Sequence, residues 1–385
     1  MVPHVAGAGT SAPHRILRPP VRAAALAVAL VLAGCAVEPP RPPPIPASEG
    51  RAFVARLLPA HVRDRPGWAT DVYAAIAALD LPATAENVCA ILAVTEQESS
   101  YRADPPVPGL PAIAWKEIER QRERAGIPRA VLDAALALES PDGRSYKARL
   151  DAVRTERALS AIFEDFIGIV PLAKPFLASR NPVRTGGPMQ VSIAFAEAHA
   201  RARPYPYPIE RDVRHEVFTR RGGLYFGTAH LLDYAAPYDR HLHRFADFNA
   251  GRYASRNAAF QRAVTGLTGI PLALDGDLLR YDGERAVRES GHTESAVRVL
   301  GGRIDMNAAE IRRDLERARE ADFERTRLYA RVFDLADRAA GKRVPRAVVP
   351  DIPLRSPKFT RPLTTAWFAQ RVQTRFAACL GRAGA

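Results

Sequence analysis

The sequence predicts a mainly α-helical protein, and three observations carry that reading. Apolar residues recur at helical spacing in stretch after stretch, from Phe53, Val54, Leu57 and Leu58 to the segments 304–318 and 323–340. Caps and breakers punctuate them: Pro82 closes one pattern, Thr84 opens the next, and Ser140-Pro141-Asp142-Gly143 is a turn. At 385 residues and 47% hydrophobic content, the chain can bury a sizeable core. No internal repeat is visible.

Residues 1–34 belong to targeting, not to the fold. Arg15, Arg18 and Arg22 precede the apolar run from Ala23 to Leu32, which is too short to span a bilayer. The run ends in Leu32-Ala33-Gly34-Cys35, which resembles the lipobox of bacterial lipoproteins. That resemblance implies a mature chain beginning at lipidated Cys35. Ala36 follows, with no Asp, which by the family rule implies anchoring in the outer membrane of a Gram-negative cell, on the periplasmic face or the cell surface. Residues 35–48 include Glu38-Pro39-Pro40-Arg41-Pro42-Pro43-Pro44-Ile45-Pro46, a polyproline spacer that would lift the domain off the membrane.

The formal charge of +13 invites a nucleic-acid reading, but export excludes it, because the periplasm offers little nucleic acid. The signal segment holds three arginines and no acid, so the mature chain keeps +10 of that charge. This suits an anionic polymer such as peptidoglycan, or a lipid headgroup surface. With Cys35 taking the lipid, Cys89 and Cys379 are the remaining pair in an oxidising compartment and are predicted to be joined.

The folded part is expected over residues 49–385. A first helix starts near Ser48. Thr70 or Asp71 can cap a second, through Val72, Tyr73, Ile76 and Leu79. Thr84 caps the third, whose apolar run from Val88 to Val94 is closed by Glu98. Glu96 and Glu98 lie about 200° apart round a helix, so only one of them can face a given cleft. Glu98 is the better choice, because Ser99 follows and Pro105, Pro106 and Pro108 soon end helical structure. An insertion at about 105–182 carries helical patterns at 113–125, 129–138 and 146–170. Arg203-Pro204-Tyr205-Pro206-Tyr207-Pro208 is a rigid extended loop, a sugar-stacking edge or, preferably, an arm packed on the domain. Leu274-Asp275-Gly276-Asp277-Leu278 lacks the ligand spacing of an EF-hand and reads as a turn. Residues from about 262 to 385 form a helical C-terminal extension.

Gln97-Glu98-Ser99 resembles the first motif of the soluble lytic transglycosylases, lysozyme-like enzymes whose acidic residue ends a buried helix. Gly187-Pro188-Met189-Gln190-Val191 is similar to their second, usually Gly-Leu-Met-Gln. The stretch from Leu224 to Leu231 resembles the helix leading into the third, and Phe245-Ala246-Asp247-Phe248-Asn249-Ala250-Gly251 resembles that motif, usually Ala-Tyr-Asn-Ala-Gly. The resemblance covers about residues 85 to 255. It implies a lysozyme-like domain with a large helical insertion. It also implies cleavage of the MurNAc-GlcNAc bond by a single acid and base, Glu98, to give 1,6-anhydro ends. Ordinary glycosidases use two carboxylates instead. Such a Glu must hold its proton near neutral pH, which an apolar helix end favours by desolvation. By the same resemblance Ser99 and Gln190 orient the sugar and its acetamido group, Met189 lines the floor, Phe248 contacts the substrate, and Asn249 holds the substrate or Glu98.

Several positions depart from the pattern. Phe248 stands where the third motif has tyrosine, and Pro188 removes a backbone donor. Thr360-Arg361 with Trp367-Phe368 is faintly similar to a fourth motif, but Phe368 lacks its hydroxyl. No metal or cofactor is expected: His241 and His243 alternate, His230 stands alone, and there is no Gly-rich phosphate loop. Over most of the mature chain there is also a resemblance to an uncharacterised family of proteobacterial lipoproteins, known only as a domain of unknown function. The expected function is that of an outer-membrane murein lyase acting on peptidoglycan strands. The alternative is a catalytically reduced lipoprotein that binds peptidoglycan or an envelope partner in the same groove.

Overall fold

Caps decide where the helices begin. The computed structural model describes residues 46–169, 181–283, 285–354 and 361–384. The signal segment, Cys35 and Thr360 lie outside the described residues. Helix α1 (Ala47–Leu57) is followed by α2 (Arg65–Ala78). That second helix starts earlier than Thr70: Asp64 accepts from Gly67 N at 3.1 Å and Pro66 occupies the first turn, where its missing N–H costs nothing. Asp71 is instead an ion-pair partner of Arg220. Helix α3 (Ala85–Ser99) is capped as expected, with Thr84 Oγ1 accepting from Asn87 N at 3.2 Å. It ends at Ser100 in the left-handed region, φ 51°, where Ser100 N donates to Glu96 O.

The insertion forms α4 (Leu110–Arg124), α5 (Arg129–Ala137), α6 (Tyr146–Ala152) and α7 (Glu156–Gly168) around its own small core of Leu110, Leu136, Tyr146, Leu150 and Ile162. The single pattern read over 146–170 is two helices. Val107 N donates to Arg154 O, and Thr155 turns out to cap α7, so the chain is extended between them.

Strands β1 (Thr185–Gly186) and β2 (Val191–Ser192) make a tight antiparallel hairpin, with Gly186 opposite Val191. Next come α8 (Ile193–Ala202), the short α9 (Val213–Val217), α10 (Arg220–Leu232), α11 (His241–Ala250) and α12 (Ala254–Thr268). The Tyr-Pro loop is an arm packed on the domain: the Tyr205 ring stacks on Phe226 at 5.1 Å, and its hydroxyl donates to Glu216 at 2.8 Å.

A further core gathers Phe260, Leu278, Val297, Leu315, Phe323 and Phe333. It is built by α12, the pair β3 (Tyr281–Asp282) and β4 (Arg285–Ala286), α13 (His292–Val299), α14 (Ala308–Leu315), a 3-10 turn at Ala321–Arg325 and α15 (Arg327–Ala340). Helix α14 begins at Asn307 with a full capping box, so it is shorter than the pattern from 304 suggested. Fully buried Arg256 ties this region to α12, donating to Ala318 O and Glu320 O beneath the Tyr253 ring. The pair β5 (Pro353–Leu354) and β6 (Leu363–Thr364) then leads into α16 (Thr365–Ala383).

Among the described residues, sheet is limited to three two-residue ladders, so the protein is mainly helical, as the sequence predicts. The central core joins distant parts of the chain. Val54 and Leu57, Trp68 and Val72, the run Val88–Val94, Met189, Leu224, Phe245, Phe368 and Phe376 all belong to it. Helix α16 packs chiefly along α3 and α11, although more than a hundred residues separate it from either.

Candidate functional site

Helix α3 is buried from Val88 to Thr95, so its last turn is where a polar group can emerge. Glu98 lies there, partly exposed. Glu96 faces elsewhere, with its carboxylate 3.7 Å from Arg375 Nε on α16. Ser99 is buried, and its hydroxyl donates to Thr95 O at 2.9 Å, which leaves only its lone pairs for other partners. Beyond the cap, Tyr101 also adopts a left-handed backbone, φ 59°. Its ring meets Trp68 edge-on at 5.6 Å and its hydroxyl donates to Leu92 O, so the chain is pinned as it leaves the helix. Burial holds the Tyr101 phenol well above its ordinary pKa.

The second stretch is the tip of the β1–β2 hairpin. Gly187 and Gln190 have positive φ, 73° and 50°, and Gln190 N donates to Gly187 O at 3.1 Å. The Gln190 side chain closes over its own turn, accepting from Thr185 Oγ1 at 3.2 Å and donating to Gly187 O at 3.4 Å. This tip sits directly on α10, and the glycines of that helix allow the approach. A Cβ on Gly223 would lie 2.4 Å from Pro188 Cδ, and one on Gly227 would lie 2.4 Å from Met189 Sδ. Met189 is completely enclosed. It therefore supports the tip from beneath, and what it touches is the helix.

The third stretch ends α11. Phe248 is partly buried against the central core, with its ring 5.1 Å from that of His230. His230 Nε2 lies 3.3 Å from Phe248 O, and burial pushes its pKa down to about 4. The ring is thus neutral, with the proton on Nε2 donated to that carbonyl. Asn249 is exposed, and its Oδ1 accepts from Thr365 Oγ1 at 3.0 Å. Thr365, the first residue of α16, is fully buried, so it positions Asn249 from the far end of the chain. Nothing in the sequence singled out Thr365; its one signal was a place beside the cap Thr364, before the apolar pattern of α16.

Asp247 is the acidic residue of this third stretch. It is fully buried and accepts from Tyr253 N, Ser255 N, Tyr238 Oη and Tyr234 Oη at 2.7 to 3.1 Å. Burial raises its pKa against the pull of those hydrogen bonds. With every approach occupied, it fixes the α11–α12 corner and has no room for a reacting sugar. Phe368 is likewise buried in the central core.

Cys89 and Cys379 form a disulfide, with their Cα atoms 5.5 Å apart, as the sequence predicts. The end of α3, the hairpin tip, the end of α11 and the start of α16 each contribute to the central core or pack against it. No group of three or more His, Cys, Asp or Glu side chains suited to a metal occurs among the described residues.

No solved structure matches the chain. A protein of Escherichia coli (strain K12), named "Uncharacterized protein YaiW", is 52% identical over 363 residues, which cover 94% of this chain and 98% of that relative. A family model described as "Protein of unknown function (DUF1615)" matches residues 61–382, and the chain belongs to that family.

Proposed function

We propose that this protein is a lipid-anchored envelope protein that binds peptidoglycan strands in a groove of lysozyme-like type, with Glu98 as the single acid and base of a lytic transglycosylase. Its anchor is Cys35 and its membrane is the outer membrane. The observation that carries this reading is the convergence of three stretches on one core. The end of α3, the Gly187–Gln190 tip and Asn249 are far apart in sequence, yet they share the central core or its hydrogen bonds.

Glu98 stands in the last turn of an apolar helix. It protonates the glycosidic oxygen. As the carboxylate, it then takes the proton of the sugar's own C6 hydroxyl, which attacks the anomeric carbon and closes the anhydro ring. One proton is given and one returned, so no second carboxylate is needed, in keeping with the enclosed position of Asp247.

A second reading, a catalytically reduced binding protein in the same groove, is favoured by the engaged state of the polar groups. The Ser99 hydroxyl proton is committed to Thr95 O, the Gln190 amide to its own turn and Asn249 Oδ1 to Thr365. Purified sacculi separate the two. Release of 1,6-anhydromuropeptides by the wild type, lost in Glu98→Gln, supports the enzyme. Binding without release at any pH leaves the second reading, and absence of both overturns the groove.

A further inference from the structure

Helix α16 carries Arg371, Arg375 and Arg382 and not one Asp or Glu. Two of these arginines serve the fold: Arg375 lies beside Glu96, and Arg382 donates to Leu57 O at 2.8 Å. Arg371 is exposed, as is Arg361 just before β6. No carboxylate among the described residues pairs with either one. By contrast, Arg220 is held by Asp64 and Asp71, and Arg346 by Asp337.

What Arg361 and Arg371 share is a ring. Their guanidinium carbons lie over Trp367, at 5.5 Å and 5.7 Å from its centroid. The face of an indole attracts a guanidinium, so Trp367 gives these two positive groups a common anchor. Holding them in advance lowers the ordering cost of binding an anion, and a guanidinium matches a carboxylate with two parallel N–H donors. This arrangement adjoins the candidate site. Trp367 N donates to Thr364 Oγ1 at 3.2 Å, the following Thr365 donates to Asn249, and Trp367 and Phe248 both pack against the central core.

We propose that Arg361, Trp367 and Arg371 form a carboxylate-binding rim of the glycan groove, which takes an acid group of the peptide stems that substitute a peptidoglycan strand. The proposal rests on the glycan reading above. The groove would recognise the sugar chain, and the rim would distinguish a strand that carries acidic stems from a bare or amidated one.

The test compares the full mature protein with the Arg361→Ala/Arg371→Ala double variant. Each is titrated with native sacculi, with sacculi whose stem carboxylates have been amidated, with a neutral N-acetylglucosamine oligomer, and with phosphatidylglycerol vesicles. The wild type should prefer native over amidated sacculi about tenfold, as expected for losing one or two charge-assisted contacts. The double variant should lose that preference while still binding the neutral oligomer like the wild type. Retention of the preference by the double variant overturns the rim, as does a wild type indifferent to amidation. A loss seen on vesicles but not on sacculi also overturns it and assigns the arginines to lipid phosphate. A wild type that binds neither sacculi nor the oligomer sinks the groove, and the rim with it.

Discussion

Cys379 on the last helix is bonded to Cys89 in the second turn of the helix that ends at Glu98, across 290 residues of sequence. Both sulfurs are buried, Cys89 wholly and Cys379 almost so. The same pair of helices is joined by apolar packing and by Arg375 beside Glu96. Whatever Glu98 does, it does from a helix that the C-terminal helix holds in place.

Removing that bond should cost stability first. Cys89→Ser or Cys379→Ser is expected to lower the unfolding free energy by about 2–5 kcal/mol. Thermal unfolding should reproduce the drop in the wild type under strong reductant, and not in the variants. Two free thiols from these positions in denatured, unreduced mature protein would contradict the structure.

Glu98→Gln keeps the shape of the side chain and removes its proton exchange. Release of anhydromuropeptides should fall by about 10²- to 10⁴-fold, the range for loss of a general acid and base. Binding to sacculi should persist, measured by co-sedimentation. Hydrolysed ends with no anhydro sugar would point to attack by water.

Gly187 has no freedom to become alanine. Its φ is 73° and a Cβ there would lie 2.1 Å from Val217 O, a backbone atom that cannot swing aside. Gly187→Ala should therefore destabilise by about 2 kcal/mol or more. Gly126→Ala, with φ 65° but nothing within 4 Å, should cost only about 1 kcal/mol. Denaturant titration of the two variants tests whether contact with α9, or φ alone, sets the cost.

The pH dependence should carry the signature of His230. Its folded pKa of about 4 lies below the ordinary value of 6.5, so the unfolded chain binds the proton more readily. The stabilising contribution is complete above pH 6.5 and is lost as pH falls toward 4. It amounts to roughly 3 kcal/mol over that window. Denaturant midpoints between pH 7 and pH 4 should fall less in His230→Phe than in the wild type; parallel slopes would refute the assignment.

Asp247→Asn should act on stability and not on chemistry. Two backbone amides and two phenols donate to this carboxylate. An amide nitrogen in its place faces donors with a donor, at a cost of about 2–4 kcal/mol. A variant with normal unfolding but no glycan cleavage would instead make Asp247 a reacting group.

Much of the helical skeleton is legible in the sequence, because it is written in local signals. Thr84, the apolar run from Val88 and the prolines after Ser99 bound α3, and its observed ends agree. Patterns alone failed where a cap or a tertiary bond outranked them. Asp64 with Pro66 started α2 early, and Arg154, drawn into a backbone bond with Val107, split the helix read over 146–170. The Cys89–Cys379 pair was legible because the expected compartment and the cysteine number left it as the available partnership.

What the sequence by itself determined is the helical class, the end of α3 at Ser99 with Glu98 in its last turn, and the cysteines that could pair. Periodicity, caps and thiols act within a few residues or through simple counting. Only the tertiary structure decided which side chains meet. Asp247 became a buried anchor, Met189 lies enclosed beneath the hairpin tip, and Asn249 was bound to Thr365. Arg361 and Arg371 came over one ring, which no single-sequence pattern announces. The physical reason is that a hydrogen bond or ring contact acts over 3 to 6 Å whatever the chain length between its partners, so it depends on how helices pack and leaves no periodic trace in the order of residues.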